Sequence, residues 1–198
     1  MNYRNGSVIG TSNTPTSSVA SGVWDLNSVR DFMDDGIWPL PLGDAALLDL
    51  SGESYIGDMT SQAGIAGAFN GSSGAQAISN CAYKVNSTFA YAGVDMGASA
   101  TIRISSATFQ SSTTSGFCGS GISQLEWHCY GSNSSPSDET DGTLLGSSGT
   151  ITDSSSQTGM LTVSNESFWR YLWFTSEIIT GSSDDWILAE AECTGWTA

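Results

Sequence analysis

The chain has 198 residues, enough for one substantial domain with appendages, and its 7 Trp, 7 Phe and 6 Tyr can furnish a real apolar core. Twenty acidic side chains against five Lys and Arg give a net charge of -15, a surface that repels phosphate backbones and anionic headgroups. Nucleic-acid binding is therefore not expected, nor is membrane insertion, since no apolar run is long enough to cross a bilayer.

Residues 1–21 are dominated by Ser, Thr, Asn and Gly and read as an extended polar arm, with Pro15 its only stiff point. The opening "MNYRNGSVIGTSNTPTS" has no apolar h-region, so no secretory leader is expected there. The segment 22–42 differs sharply. Asp25 suits an N-cap, with Trp24 placed to staple onto Val29, and Leu26, Val29, Phe32 and Met33 share one helical face. Gly36 suits a left-handed C-cap, Ile37 then contacts Phe32, and Pro39 after Trp38 stops the helix. A helix of about ten residues is marginal in water. Trp24, Leu26, Val29, Phe32, Met33, Ile37 and Trp38 are therefore expected to be docking and assembly residues.

Residues 43–198 read as one β domain. Short runs rich in β-branched and aromatic residues alternate with Gly/Ser/Asn/Asp clusters: "ALLDLS", "SYIGDMT", "QAISNCAYKV", "YAGVDMG", "ATIRISSATFQS", "ISQLEWHCYGS", "GTITDS", "GMLTVS", "FWRYLWFTSEII" and "WILAEAECTGW". No crossover helix separates them, which predicts an all-β antiparallel sandwich or barrel. Leu125, Trp127 and Cys129 share one strand face. The last strand is expected to place Ile187, Ala189, Ala191 and Cys193 together. In "FWRYLWFTSEII" both faces are bulky, so it is expected to be covered on two sides, by the helical segment or a second subunit.

Little in the chain points to catalysis. There is no GxSxG, and the one histidine, His128, lies on a strand face with Glu126 and Tyr130, where a surface or interface role is expected. Glu190 and Glu192 share a strand face about 7 Å apart, a spacing that inverting glycosidases also use, but a solvated outer face is the simpler reading. Asp138, Glu139, Asp141, Asp184 and Asp185 fall in turn-like contexts. Cys81, Cys118, Cys129 and Cys193 have no paired spacing, which argues against zinc; one or two disulfides stay open, and reduced, buried thiols are the expected state because nothing indicates an oxidising compartment. For sugar binding, which needs an aromatic platform with flanking polar groups, Tyr83, Phe89, Tyr91 and Phe117 are the candidates near loops.

Two resemblances add to this. "AFNGSSG", "YAGVDMGASATIRISSATF", "LEWHCYGSN", "FWRYLWFTS" and "WILAEAECTGW", in that order, resemble the discoidin-like, or galactose-binding-like, jelly roll. The resemblance implies a jelly-roll sandwich and non-enzymatic glycan binding. It also implies a structural Ca²⁺ held by Asn70, Ser72 and Glu190, weakened because Asn70 stands where Asp is commoner; no other cofactor is expected. The stretch "IGTSNTPTSSVASGVW" with the following "WP" resembles segments of tail-fibre-like virion proteins of tailed phages. That likeness implies a virion structural protein at the particle surface, assembled with other virion proteins and as a homo-oligomer, a trimer being favoured, and binding host surface glycans. The alternative it leaves is a head decoration or tail component with no ligand beyond its virion neighbours.

Overall fold

A computed structural model describes residues 45–198 apart from 73, 86, 88, 120, 183 and 184. The arm, the helical segment and the docking residues Trp24 to Trp38 lie outside the described residues. Among the described residues thirteen strands follow in chain order. They are β1 (Ala46–Leu47), β2 (Ser54–Gly57), β3 (Ser61–Gln62), β4 (Ala82–Val85), β5 (Tyr91–Asp95), β6 (Ile102–Gln110) and β7 (Ile122–Ser132). The rest are β8 (Thr143–Ser147), β9 (Ile151–Thr152), β10 (Thr158–Thr162), β11 (Tyr171–Gly181), β12 (Asp185–Leu188) and β13 (Glu190–Thr197). Helical structure among the described residues is confined to 3-10 turns at Ile65–Phe69 and Ile78–Asn80.

All strand pairs are antiparallel. One sheet has the order β1-β13-β6-β10, and the other runs β2-β5-β11-β7-β8 with β9 also on β7. A small third sheet, β12-β4-β3, closes one side. The all-β antiparallel sandwich read from the sequence is the observed architecture. Its two sheets face each other through alternating side chains. From one come Ile104, Ala107, Phe109, Ala191 and Cys193; from the other come Val94, Leu172, Phe174, Leu125, Trp127 and Cys129.

Aromatic rings carry the centre of this core. Phe109 stacks on Trp127 at 5.5 Å and meets Phe174 edge-on at 5.0 Å, while Trp127 also takes edge contacts from Phe117 and Trp186 at 5.9 and 6.2 Å. Such pairs add about 0.5–1.5 kcal/mol each beyond their buried area. All four cysteines are buried and free, the expected state.

One expectation needs correction. "WILAEAECTGW" is not one strand: it breaks at Ala189, so β12 and β13 belong to different sheets. Ile187 and Ala189 consequently join Cys81 in a satellite cluster, away from the main core that holds Ala191 and Cys193. The strand from "FWRYLWFTSEII" is buried on both faces, as its bulky residues predict. On the outer face of β11 Trp173 lies under the chain's own β7–β8 loop, whose Glu139 carbonyl accepts a 2.8 Å hydrogen bond from the indole Nε1–H.

Candidate functional site

The register of the six-stranded sheet decides which side chains share its outer face. Tyr91, Thr175, His128 and Ser147 are successive partners across β5, β11, β7 and β8. Directly opposed residues point to the same side of a sheet, so these four form one row. Two residues along, Trp173 pairs with Tyr130 and with Gly93, and Tyr130 pairs with Leu144. In the other direction Glu177 faces Glu126. The inward-facing residues between them, such as Phe174 and Cys129, are in the core.

Trp173 is fully buried although it lies on the outer face. Tyr130 stacks on it at 5.8 Å with the planes 14° apart, and the β7–β8 loop closes above. This closeness depends on Gly93 and Gly142. A Cβ on Gly93 would lie 2.4 Å from Trp173 Cβ, and one on Gly142 would lie 2.5 Å from the indole's Cη2. The loop is held by its own turn chemistry. Asp138 accepts the Thr140 backbone N–H, and Asp141 accepts the Ser137 N–H and hydroxyl.

Beside this raised loop runs a groove of about 510 Å³, lined by Phe89, His128, Tyr130, Glu139, Thr140, Leu144 and Thr175–Ile178. That volume is in the range of small-ligand sites. Its polar groups are convergent: His128 Nε2 lies 2.9 Å from Glu177 Oε2 and 4.0 Å from Glu126 Oε2. Glu126 is also fixed by the hydroxyls of Ser147 and Thr150 at 3.1 and 3.0 Å. Burial pushes the Tyr130 phenol up, and the charges of Glu177 and Glu139 push it further. The arrangement offers half-buried aromatic surface beside carboxylate, hydroxyl and imidazole groups, which is what a sugar ring's apolar face and its hydroxyls require.

A second cavity, of about 340 Å³, is lined by residues 47–51, Phe69, Asn70, Gly71 and 190–192. Glu190 is buried within its wall at 2% exposure. Burial raises its carboxyl to about 7; the nearby Glu192 charge adds to this, and hydrogen bonds from the backbone N–H groups of Gly71 and Ser72 oppose it. Asn70 is committed to its own loop, donating from Nδ2 to the Gly67 carbonyl and accepting the Ser72 N–H on Oδ1. Ca²⁺ needs six to eight oxygen ligands. Glu190 is the one carboxylate of the expected set and accepts a hydrogen bond from the Gln76 amide at 3.5 Å; the described residues contain no cluster of three acidic, His or Cys ligands. Asn70 and Glu190 both line this cavity, and a cation held there with Ser72 would draw its remaining oxygens from backbone carbonyls.

Of the four predicted aromatic contacts, Phe89 lines the groove and Tyr91 stands in its central row. Tyr83 lies on the small third sheet, its hydroxyl donating to Asp185 at 2.7 Å, and its phenol is pushed up to about 12 by burial and that carboxylate. Phe117 is fully buried against Trp127 and has no face for a ligand, because the loop that carries it turns inward where Asp153 accepts its backbone N–H at 2.7 Å. Sequence reasoning missed Tyr130, Glu139, Leu144 and Glu177. Period-two alternation does place Tyr130 with His128, and that was the available signal.

No family model matches the chain, and no curated protein matches it in sequence. Solved structures do resemble it. A fucolectin from striped bass serum (Morone saxatilis) superposes with a TM-score of 0.53 at 15% identity, over 76% of this chain and 49% of that one. The β-galactosidase BgaA of Streptococcus pneumoniae gives 0.52 at 9% identity, over 77% and 98%. A fucose-binding module from the same bacterium gives 0.51 at 13% identity, over 76% and 96%. The chain thus spans about half of the fucolectin and nearly all of the other two. These likenesses show the fold: a discoidin-like jelly-roll β-sandwich.

Proposed function

We propose that this protein is a non-catalytic glycan-binding component of a tailed-phage particle, presenting its jelly roll outward to host surface sugars. The observation that carries the binding half is the groove beside the β7–β8 loop, where Tyr130 rests on buried Trp173 between Glu139 and Glu177. The names of the similar structures support the same reading, since they include a fucolectin and a fucose-binding module. Binding is favoured over hydrolysis because Glu190 is 2% exposed, which leaves no pair of solvent-facing carboxylates with Glu192. The virion half rests on the likeness of the segment before the sandwich to tail-fibre-like proteins, and with it the expectation of a trimer. Individually weak sugar contacts become useful when many copies act together.

A glycan array probed with the full chain tests the first half. Tyr130→Ala is expected to weaken the best glycan by about tenfold or more, the loss typical of a central aromatic contact, with the melting temperature lowered by only a few degrees as the stacking on Trp173 is lost. Retained binding in this variant would move the site elsewhere. No glycan bound by the wild-type chain would leave the alternative, a particle component that binds only its virion neighbours. Mass spectrometry of purified particles tests the second half, and absence of the chain from them would end that reading.

A further inference from the structure

We infer that the groove selects a glycan bearing free, protonated amino groups, an oligomer of deacetylated amino sugar, over its N-acetylated or neutral counterpart. This rests on the glycan reading of the same groove and specifies its ligand class. No Lys or Arg lines the groove, whereas Glu139 and Glu177 both do. They flank the half-buried ring of Tyr130, whose phenol is pushed up by burial and then by both charges. Tyr91, in the row beside it, is pushed up by burial and then by Asp58, Glu139 and Asp138. Glu177 is engaged with His128 through one oxygen and still has 62% of its side chain open to solvent.

An uncharged sugar bound here would strip water from these carboxylates and offer only hydroxyls in return. An ammonium group answers both the carboxylates and the negative face of the aromatic ring. The chain already makes this arrangement once, at the groove's own edge. There the Lys84 ammonium sits 4.2 Å over the Phe89 ring and is paired with Asp58. The groove repeats the combination of ring and carboxylate at Tyr130, Glu139 and Glu177, with His128 on one oxygen of Glu177 and no Lys or Arg to fill it.

Calorimetric titration of the full chain with a glucosamine tetramer and with the N-acetylglucosamine tetramer tests the inference. The free-amine oligomer is expected to bind at least about tenfold more tightly, with the advantage shrinking as NaCl is raised. The double variant Glu139→Gln, Glu177→Gln should lose the preference while melting like the wild type. Glu192→Gln, on the other sheet, should keep it, which separates the groove from the general effect of net charge. Equal affinity for the two oligomers, or a preference that survives the double variant, overturns the inference while leaving glycan binding intact. Binding of neither oligomer also overturns it, and the glycan array then decides the broader reading independently.

Discussion

Replacing Glu190 with Gln is expected to raise the melting temperature at pH 8 by several degrees and to change it little at pH 5. The side chain is 2% exposed and its carboxyl is raised to about 7 from an ordinary 4.5. The folded state therefore binds this proton more tightly than the unfolded chain does. Its contribution to stability is fully present below about pH 4.5 and is lost as pH rises through about 7. That difference corresponds to about 3 kcal/mol at full ionisation. Gln keeps the shape and an acceptor for the Gly71 and Ser72 N–H groups, and it removes the buried charge. A gain of about 6–12 °C at pH 8 follows for a domain of this size. Melting curves of both forms from pH 5 to 8 check it. A variant that is less stable at every pH would mean that the N–H bonds to the carboxylate outweigh its desolvation. Excess CaCl2 is expected to leave the wild-type melting temperature unchanged; a rise that disappears in Glu190→Gln would place a cation there.

Trp173→Ala should cost about 3–5 kcal/mol, the range for emptying a buried Trp site, and should abolish binding in the groove. The indole is fully buried, stacks on Tyr130 and donates to the Glu139 carbonyl. Removing it takes the support from Tyr130 and the anchor from residues 133–142. Two readouts distinguish this from simple core damage: faster proteolysis within 133–142 and loss of glycan binding in molecules that remain folded. Trp173→Phe keeps a ring beneath Tyr130 but leaves the Glu139 carbonyl without its donor. It is expected to cost about 1–3 kcal/mol and to retain most of the binding. Undiminished binding in Trp173→Ala would show that the loop and Tyr130 hold their positions without the indole.

The strands were legible because half-buried strands alternate locally. "ISQLEWHCYGS" matches β7 end to end, and every second residue of it between Leu125 and Cys129 is in the core. The break at Ala189 was not legible. The pattern continues unaltered through it, and only pairing with β4 on one side and β6 on the other divides the run. Phe89 and Tyr91 were found from their position near loops. Phe117 met the same criterion and is in the core, because proximity to a loop does not say which way the loop folds. Glu139 was read as part of a solvated turn. The hydrogen bonds of Asp138 and Asp141 agree with that, but the same turn also rests on Trp173 through the Glu139 carbonyl.

The sequence by itself determined an acidic, antiparallel β-sandwich, and the sides on which His128, Tyr130 and Trp127 lie. The charge follows from composition and the strand faces from period-two alternation, which acts within a single strand; the choice of a sandwich over a barrel came with the resemblance to the discoidin-like jelly roll. Tertiary structure alone decided that Tyr130 meets Trp173 from a strand more than forty residues away in the chain, that the β7–β8 loop closes over them, and that Glu190 is enclosed by the Gly71–Ser72 backbone. Each depends on which strands pair and in what register. Pairing between segments distant in sequence is set by the fit of the whole core and is not encoded in either segment alone.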